Sequence, residues 1–219
     1  MKALVAGATG RTGKRIVDVL VEQGISVKAL VRNLEKGQQT VSPEAELVVG
    51  DVLQPDSLQE AIEGCDVVFC ATGATPSFDL TGPYRVDYEG TKNLIDVAKT
   101  AEIQQFVLVS SLCVSQFFHP LNLFWLVLYW KKQAEDYLKQ SGLTYTIVRP
   151  GGLLDTDNPD PIVLSEEDTL FDGRIPRRKV AEVAVAALSQ SAAQNTILET
   201  IAKPEAEKKD WSELFATVT

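Results

Sequence analysis

The chain is poor in the residues that build redox and metal centres. Its 219 residues hold one histidine, His119, one methionine and three cysteines, Cys65, Cys70 and Cys113. One imidazole without a CxxC pair cannot assemble a zinc site. An odd set of unpaired cysteines fits a reducing compartment, with the thiols acting as small apolar residues. His119, flanked by Phe and Pro, reads as structural. Positive charge is also short: 21 Lys and Arg stand against 30 Asp and Glu, giving a formal net charge of −9 and a pI near 4.7. A field of that sign excludes general affinity for nucleic acid or anionic lipid. Any phosphate ligand must therefore be held by local chemistry. Long apolar runs are lacking too. The longest, Leu121–Trp130, would span about 15 Å as a helix, against about 30 Å for a hydrocarbon core. It cannot cross a membrane, although peripheral contact stays open. The chain opens MKALVAGATG, directly into a strand, so no secretory leader is expected.

What is present is an alternation of short apolar runs with longer amphipathic ones. Strands are predicted at Ala3–Ala6, Val27–Val31, Glu46–Val49, Asp66–Ala71, Gln105–Ser110, Thr144–Val148 and Asn195–Ile201. Helices are predicted over Gly13–Gln23, from Pro55, over Val86–Thr100 and through Val127–Leu138. Strands without period-2 polarity, each followed by a helix, indicate a mostly parallel sheet covered on both faces. The fold class is α/β and doubly wound, in one domain spanning 1–219. Gly151–Arg178, rich in Pro and Asp, is the one long irregular stretch and reads as a lid.

The first strand runs into Gly7-Ala8-Thr9-Gly10-Arg11-Thr12-Gly13. Glycines at these positions let the backbone turn tightly and approach a pyrophosphate, while the next helix aims its free N–H groups at the ligand. Glycine also punctuates ordinary turns; a strand before and a helix after favour nucleotide binding. About twenty residues past such a loop, an NAD-preferring fold carries an acidic residue for the ribose hydroxyls. Here Arg32 stands nineteen after Gly13. A guanidinium grips a 2′-phosphate that a carboxylate would repel, which favours NADP(H). Arg11 could stack near the same phosphate.

GATGRTG resembles the short-chain dehydrogenase/reductase superfamily, in its extended and atypical branches. Val31-Arg32-Asn33, Gly50-Asp51-Val52, Cys70-Ala71-Thr72-Gly73-Ala74, Val86-Asp87-Tyr88-Glu89-Gly90-Thr91 with Asn93, Val109-Ser110-Ser111 and Ile147-Val148-Arg149-Pro150-Gly151-Gly152 carry the same resemblance over nearly the whole chain. The most similar patterns are those of small NAD(P)-binding proteins of plastids and cyanobacteria. These include the NADP(H)-binding domain of a chloroplast translocon subunit, photosystem assembly factors and flavin/biliverdin reductases. The resemblance implies a Rossmann fold and a cyanobacterial cytoplasm or plastid stroma. It places Asp51 and Val52 at the adenine, although Asp51 could instead organise the turn before Pro55. It places Ala71, Thr72 and Gly73 along the ribose and pyrophosphate, with Pro150 and Gly151 also at the cofactor.

VLYWKKQAEDYL, Val127–Leu138, decides the chemistry. At about 100° per residue, Lys131 shares the apolar stripe with Val127, Ala134 and Leu138, and Lys132 points away. A lysine in that stripe must be paired or snorkelling. The resemblance gives Lys131 the nicotinamide ribose hydroxyls. Orthodox members use Tyr-x-x-x-Lys, the phenol acting as general acid. Four residues before Lys131 stands Val127, and Tyr129 lies about 160° round the helix from Lys131. The usual proton donor is missing. Ser110 or Ser111, after a central strand, could still hydrogen-bond a substrate oxygen, or could simply cap that strand. Hydride transfer to a flavin or quinone needs no tyrosine, because solvent supplies the proton. Two functions stay open. One is an NADP(H)-dependent oxidoreductase with a quinone- or flavin-like acceptor. The other is a silent NADP(H)-binding sensor or assembly factor docking a photosynthetic or electron-transfer protein through Leu121–Trp130. That run is too apolar for one helix face and must meet the lid, a second subunit or a partner. Oligomeric state stays open.

Overall fold

The structure, a computed structural model, describes residues 1–75 and 79–218, with the side chain of Phe124 outside the described set. Among the described residues ten strands form one sheet: β1 Lys2–Ala6, β2 Ser26–Val31, β3 Glu46–Val49, β4 Val67–Cys70, β5 Gln105–Val109, β6 Tyr145–Pro150, β7 Gly152–Leu154, β8 Ile162–Ser165, β9 Arg174–Pro176 and β10 Thr196–Ala202. Their order is β3-β2-β1-β4-β5-β6-β10-β9-β7, with β8 pairing β10. The run from β3 to β10 is parallel throughout, and β8 and β9 join β10 antiparallel. The seven predicted strands are all present, as β1–β6 and β10.

The absence of period-2 polarity has the cause expected of it. Along β1, Ala3 and Val5 face one core, while Leu4 and Ala6 face the other. The first core is closed by α1 (Arg11–Glu22), by α7 (Arg177–Ala186) and by α8 (Trp211–Phe215). The second is closed by α3 (Pro55–Ile62), α4 (Gly90–Thr100) and α6 (Val127–Gln140). The short α2 (Leu34–Thr40) is capped by Asn33, whose side chain accepts from Lys36 N–H. Each buried Leu or Ile contributes about 1.5–3 kcal/mol. On α1, Ile16, Val17 and Leu20 are all fully buried on that one face.

Three expectations need correction. Gly151–Arg178 is not without regular structure, since it contains β7, β8 and β9; strands of three or four residues are too short for a pattern to show. The predicted Val86–Thr100 helix begins earlier, as a π-helical turn over Pro83–Glu89 in which Gly90 N–H bonds Arg85 C=O. The apolar run is not one helix. It breaks at Leu126, whose φ of 51° separates α5 (Asn122–Trp125) from α6. The break is held by Asn122, the run's one polar residue. Its buried side-chain oxygen accepts from Leu128 and Tyr129 N–H, satisfying donors at the start of α6.

Candidate dinucleotide site

A cleft of about 790 Å³ opens beyond the carboxyl ends of β1, β4, β5 and β6. After β3 the chain crosses β1 to build β4 on its other side, so the cleft lies at the topological switch point where such sheets bind ligands. Each strand contributes the loop that follows it. Thr9, Gly10, Arg11 and Thr12 come from the β1–α1 loop, and Ala71, Thr72 and Gly73 from the segment after β4. Ser110 and Ser111 follow β5, Pro150 and Gly151 end β6, and Lys131 reaches in from α6.

The glycine loop is shaped for close approach. Gly7 has φ +82°, and a Cβ there would sit 2.6 Å from the Ala71 carbonyl oxygen. A Cβ on Gly13 would fall 2.1 Å from the Gly7 oxygen, so neither position accepts a larger residue without moving backbone. Gly10 N–H closes the turn on Gly7 C=O at 2.8 Å and precedes α1, which has no side-chain cap. The orphan N–H groups of its first turn are therefore available to an anion.

Arg32, Asp51 and Val52 do not line this cleft; they stand at the carboxyl ends of β2 and β3, on the side away from Lys131. Arg32 is exposed. Asp51 does organise its turn, because its carboxylate accepts from Leu53 N–H at 3.0 Å. Val52 is buried against Gly90, and its carbonyl accepts from Asn93. Arg11 is bonded to Asp155 at 2.7 Å.

At the opposite end, Lys131 lies 2.8 Å from Asp87, with 18% of its side chain exposed against 1% for the aspartate. Burial opposes the ammonium, but Asp87 outweighs it and holds the lysine pKa above its ordinary value. Asp87 also accepts from Ala74 N–H at 3.0 Å, tying the loop after β4 to α6. The Ser110 hydroxyl is buried and has no partner among the described residues, although it lines the cleft beside Lys131. A buried hydroxyl left unsatisfied costs roughly 1–3 kcal/mol, so it suits a ligand atom. Ser111 is less buried.

Val127 is partly buried against Leu128 and its neighbours, and no described tyrosine lines the cleft. Tyr129 and Trp130 are absorbed by rings instead, Trp130 against Tyr84 at 4.9 Å and Tyr129 against Phe117 at 5.8 Å. The lid leaves Leu121, Leu123 and Leu126 exposed. Sequence reasoning passed over three cleft or near-cleft groups. His119, read as structural, does accept from Leu121 N–H, yet it also lines the cleft. Arg177 lines it as well, from the first residue of α7. Asp87 was visible only as part of a motif. Among the described residues no group of side chains could hold a metal ion, and no helix is long and apolar enough to cross a membrane.

Glycines that admit only bare backbone, an uncapped helix start and an orphaned hydroxyl beside an ammonium all fit a nicotinamide dinucleotide. Comparison with known proteins agrees. An uncharacterized chloroplastic protein of Arabidopsis thaliana is 46% identical over 99% of this chain and 82% of its own length. The chloroplastic protein TIC 62 of Pisum sativum is 40% identical over 92% of this chain, which spans only 43% of that protein. Sanguinarine reductase of Eschscholzia californica is 31% identical across 100% of this chain and 96% of its own. A putative NAD-dependent epimerase/dehydratase of Bacillus halodurans superposes with a TM-score of 0.88 at 26% identity, over 100% of both chains. The NAD(P)H-binding family matches residues 7–191, and the chain belongs to it, as an atypical short-chain dehydrogenase/reductase with plastid-type relatives.

Proposed function

We propose that this protein is an NADP(H)-dependent oxidoreductase passing hydride to a quinone- or flavin-like acceptor in a plastid stroma or cyanobacterial cytoplasm. The observation that carries it is the inner wall of the cleft, lined by both the Ser110 hydroxyl and the Lys131 ammonium, where among the described residues the hydroxyl has no partner and no tyrosine stands. When bound, NADPH supplies the hydride. The glycine loop and the Ala71–Gly73 segment would hold its diphosphate and ribose. Asp51 and Val52 would flank the adenine, and Arg32 would meet the 2′-phosphate. Pro150 and Gly151 would close the far wall.

Lys131, kept charged by Asp87, would donate to the nicotinamide ribose. Ser110, with Ser111 beside it, would donate to the acceptor oxygen that gains electron density. A quinone or flavin carries that charge over a conjugated ring, so the one proton that completes the reduction after hydride transfer can come from water at the open mouth. The test follows NADPH absorbance with purified full-length protein and a panel of quinones and flavins. Ser110→Ala should lower kcat at least tenfold while leaving the NADPH Kd unchanged. Saturable binding with no turnover on any acceptor would sink the enzyme reading.

That outcome would favour a second reading, a silent NADP(H)-binding docking factor. Its support is the exposed segment in which Phe118 is 96% and Leu123 76% exposed, together with Val127 in the place of the acid. A nucleotide-dependent pull-down tests it, with Leu123→Glu expected to abolish capture.

A further inference from the structure

We propose that Arg177 and Arg11 form a two-armed clamp for the dinucleotide diphosphate, which the carboxylate of Asp155 holds until a diphosphate displaces it. The proposal rests on the reading of the cleft as a dinucleotide site. Arg177 is the first residue of α7 and is 9% exposed. Its Nε donates to Asp155 Oδ1 at 2.8 Å, and its Nη1 donates to Thr12 Oγ1 at 3.2 Å, on the first turn of α1. Arg11 donates to the other carboxylate oxygen, Oδ2, at 2.7 Å. Arg15 adds a third guanidinium, donating to the Asp155 backbone oxygen at 3.1 Å.

Two guanidinium groups thus share one carboxylate, and a third sits on the same residue's backbone oxygen, at the uncapped start of α1 in a chain whose net charge is −9. One carboxylate leaves that cluster two positive charges in surplus. Two oxygens on one centre, each taking a guanidinium, are also what a phosphoryl group offers, and a diphosphate brings more charge than a carboxylate. The depth of the partners makes exchange feasible. The Asp155 side chain is 52% exposed and can swing into water, whereas Arg177, at 11%, stays beside Thr12 at the cleft wall. A tether serving only to fix β7 against α1 would need no cation facing into the cleft.

Calorimetric titration of the full chain with NADPH, NADH and ADP-ribose tests the clamp, with 2′-AMP as a ligand lacking the diphosphate. Arg177→Met should weaken the three diphosphate ligands by the same factor, tenfold or more, and leave 2′-AMP unchanged. Arg177→Lys should retain part of the affinity. Asp155→Asn should tighten the three by threefold or more, by removing the competitor. Melting without ligand shows whether either variant is simply misfolded. Should Asp155→Asn weaken binding or leave it flat, or should Arg177→Lys bind as tightly as wild type, the clamp is wrong and the dinucleotide site stands. Should wild type give no heat with any dinucleotide, both fall together.

Discussion

Lys131 and Asp87 give the sharpest test of how the cleft is built. At 2.8 Å their attraction is about 6 kcal/mol for an effective dielectric of 20, before desolvation is set against it. The two groups are unequally placed. Lys131 keeps some contact with the cleft, while Asp87 is only 3% exposed. Lys131→Met should therefore strand a buried carboxylate, costing about 3–5 kcal/mol. For a chain of this size that is a fall in Tm of roughly 6–20 °C. Asp87→Asn should cost less, because an amide oxygen still accepts from Ala74 N–H and the lysine can turn to solvent.

The double variant should be more stable than Lys131→Met alone, with a coupling of about 2 kcal/mol or more in a double-mutant cycle by urea denaturation. Strict additivity, or a Tm loss below about 2 °C for Lys131→Met, would refute the reasoning. The result bears on function as well. Loss of turnover in Lys131→Met alone mixes a damaged fold with a lost ribose contact. The Lys131→Met, Asp87→Asn background separates them, since it should fold normally and still bind NADPH at least tenfold more weakly.

Arg32→Ala should weaken NADPH binding ten- to a hundredfold, from a charged hydrogen bond of about 1.5–3 kcal/mol, and leave NADH nearly unchanged; equal losses in titration would remove the argument for the 2′-phosphate. Gly13→Ala places a methyl 2.1 Å from the Gly7 oxygen and should cost about 1–3 kcal/mol of stability while weakening both dinucleotides alike, which melting and titration read separately. Arg177, then Arg11, hold the Asp155 carboxyl below its ordinary pKa of 3.8. A depressed acid contributes stability above its unfolded pKa and loses it as pH falls through the folded one. The stability difference between wild type and Asp155→Asn should thus stay constant from about pH 5 to 9 and disappear only on acidification below 3.8, as urea midpoints across pH will show.

The sheet was legible because its chemistry is local. Ala3–Ala6 and Gln105–Val109 bury both faces, and a short apolar run followed by a helix has few other uses. The glycine loop was legible because its requirement is steric and falls on adjacent letters. That Ser110 is the buried serine was not, since its N–H bonds the Val148 carbonyl on a strand far along the chain. Arg177 was invisible for a similar reason: it meets Thr12 across 165 positions. In the run Arg177-Arg178-Lys179 nothing marks one arginine as turned inward.

The least legible feature is the buried ion network, whose depth contrasts with that of the cluster proposed to exchange. Arg149 is fully buried and bonds Glu135 through two nitrogens, at 3.0 and 2.7 Å. It also donates to Asp168 at 2.8 Å and to Glu167 at 3.0 Å. Glu199 in turn accepts backbone N–H from Asp168, Thr169 and Leu170. A charge inside TIVRP and another inside LETIA were the available clues, because a charge in a strand covered on both faces must be paired. Their effect is to pin 167–170 to the sheet. Removing Arg149, Glu135 or Glu199 would strand a buried charge in a medium where an unpaired charge costs several kcal/mol. Asp87–Lys131 obeys the same rule on the opposite wall. Asp155 does not, because water already reaches half its side chain and can take over its hydration when a phosphate takes its arginines. Depth of both partners, more than the number of bonds, separates Arg149–Glu135 and Lys131–Asp87 from the pairs that the half-exposed Asp155 makes.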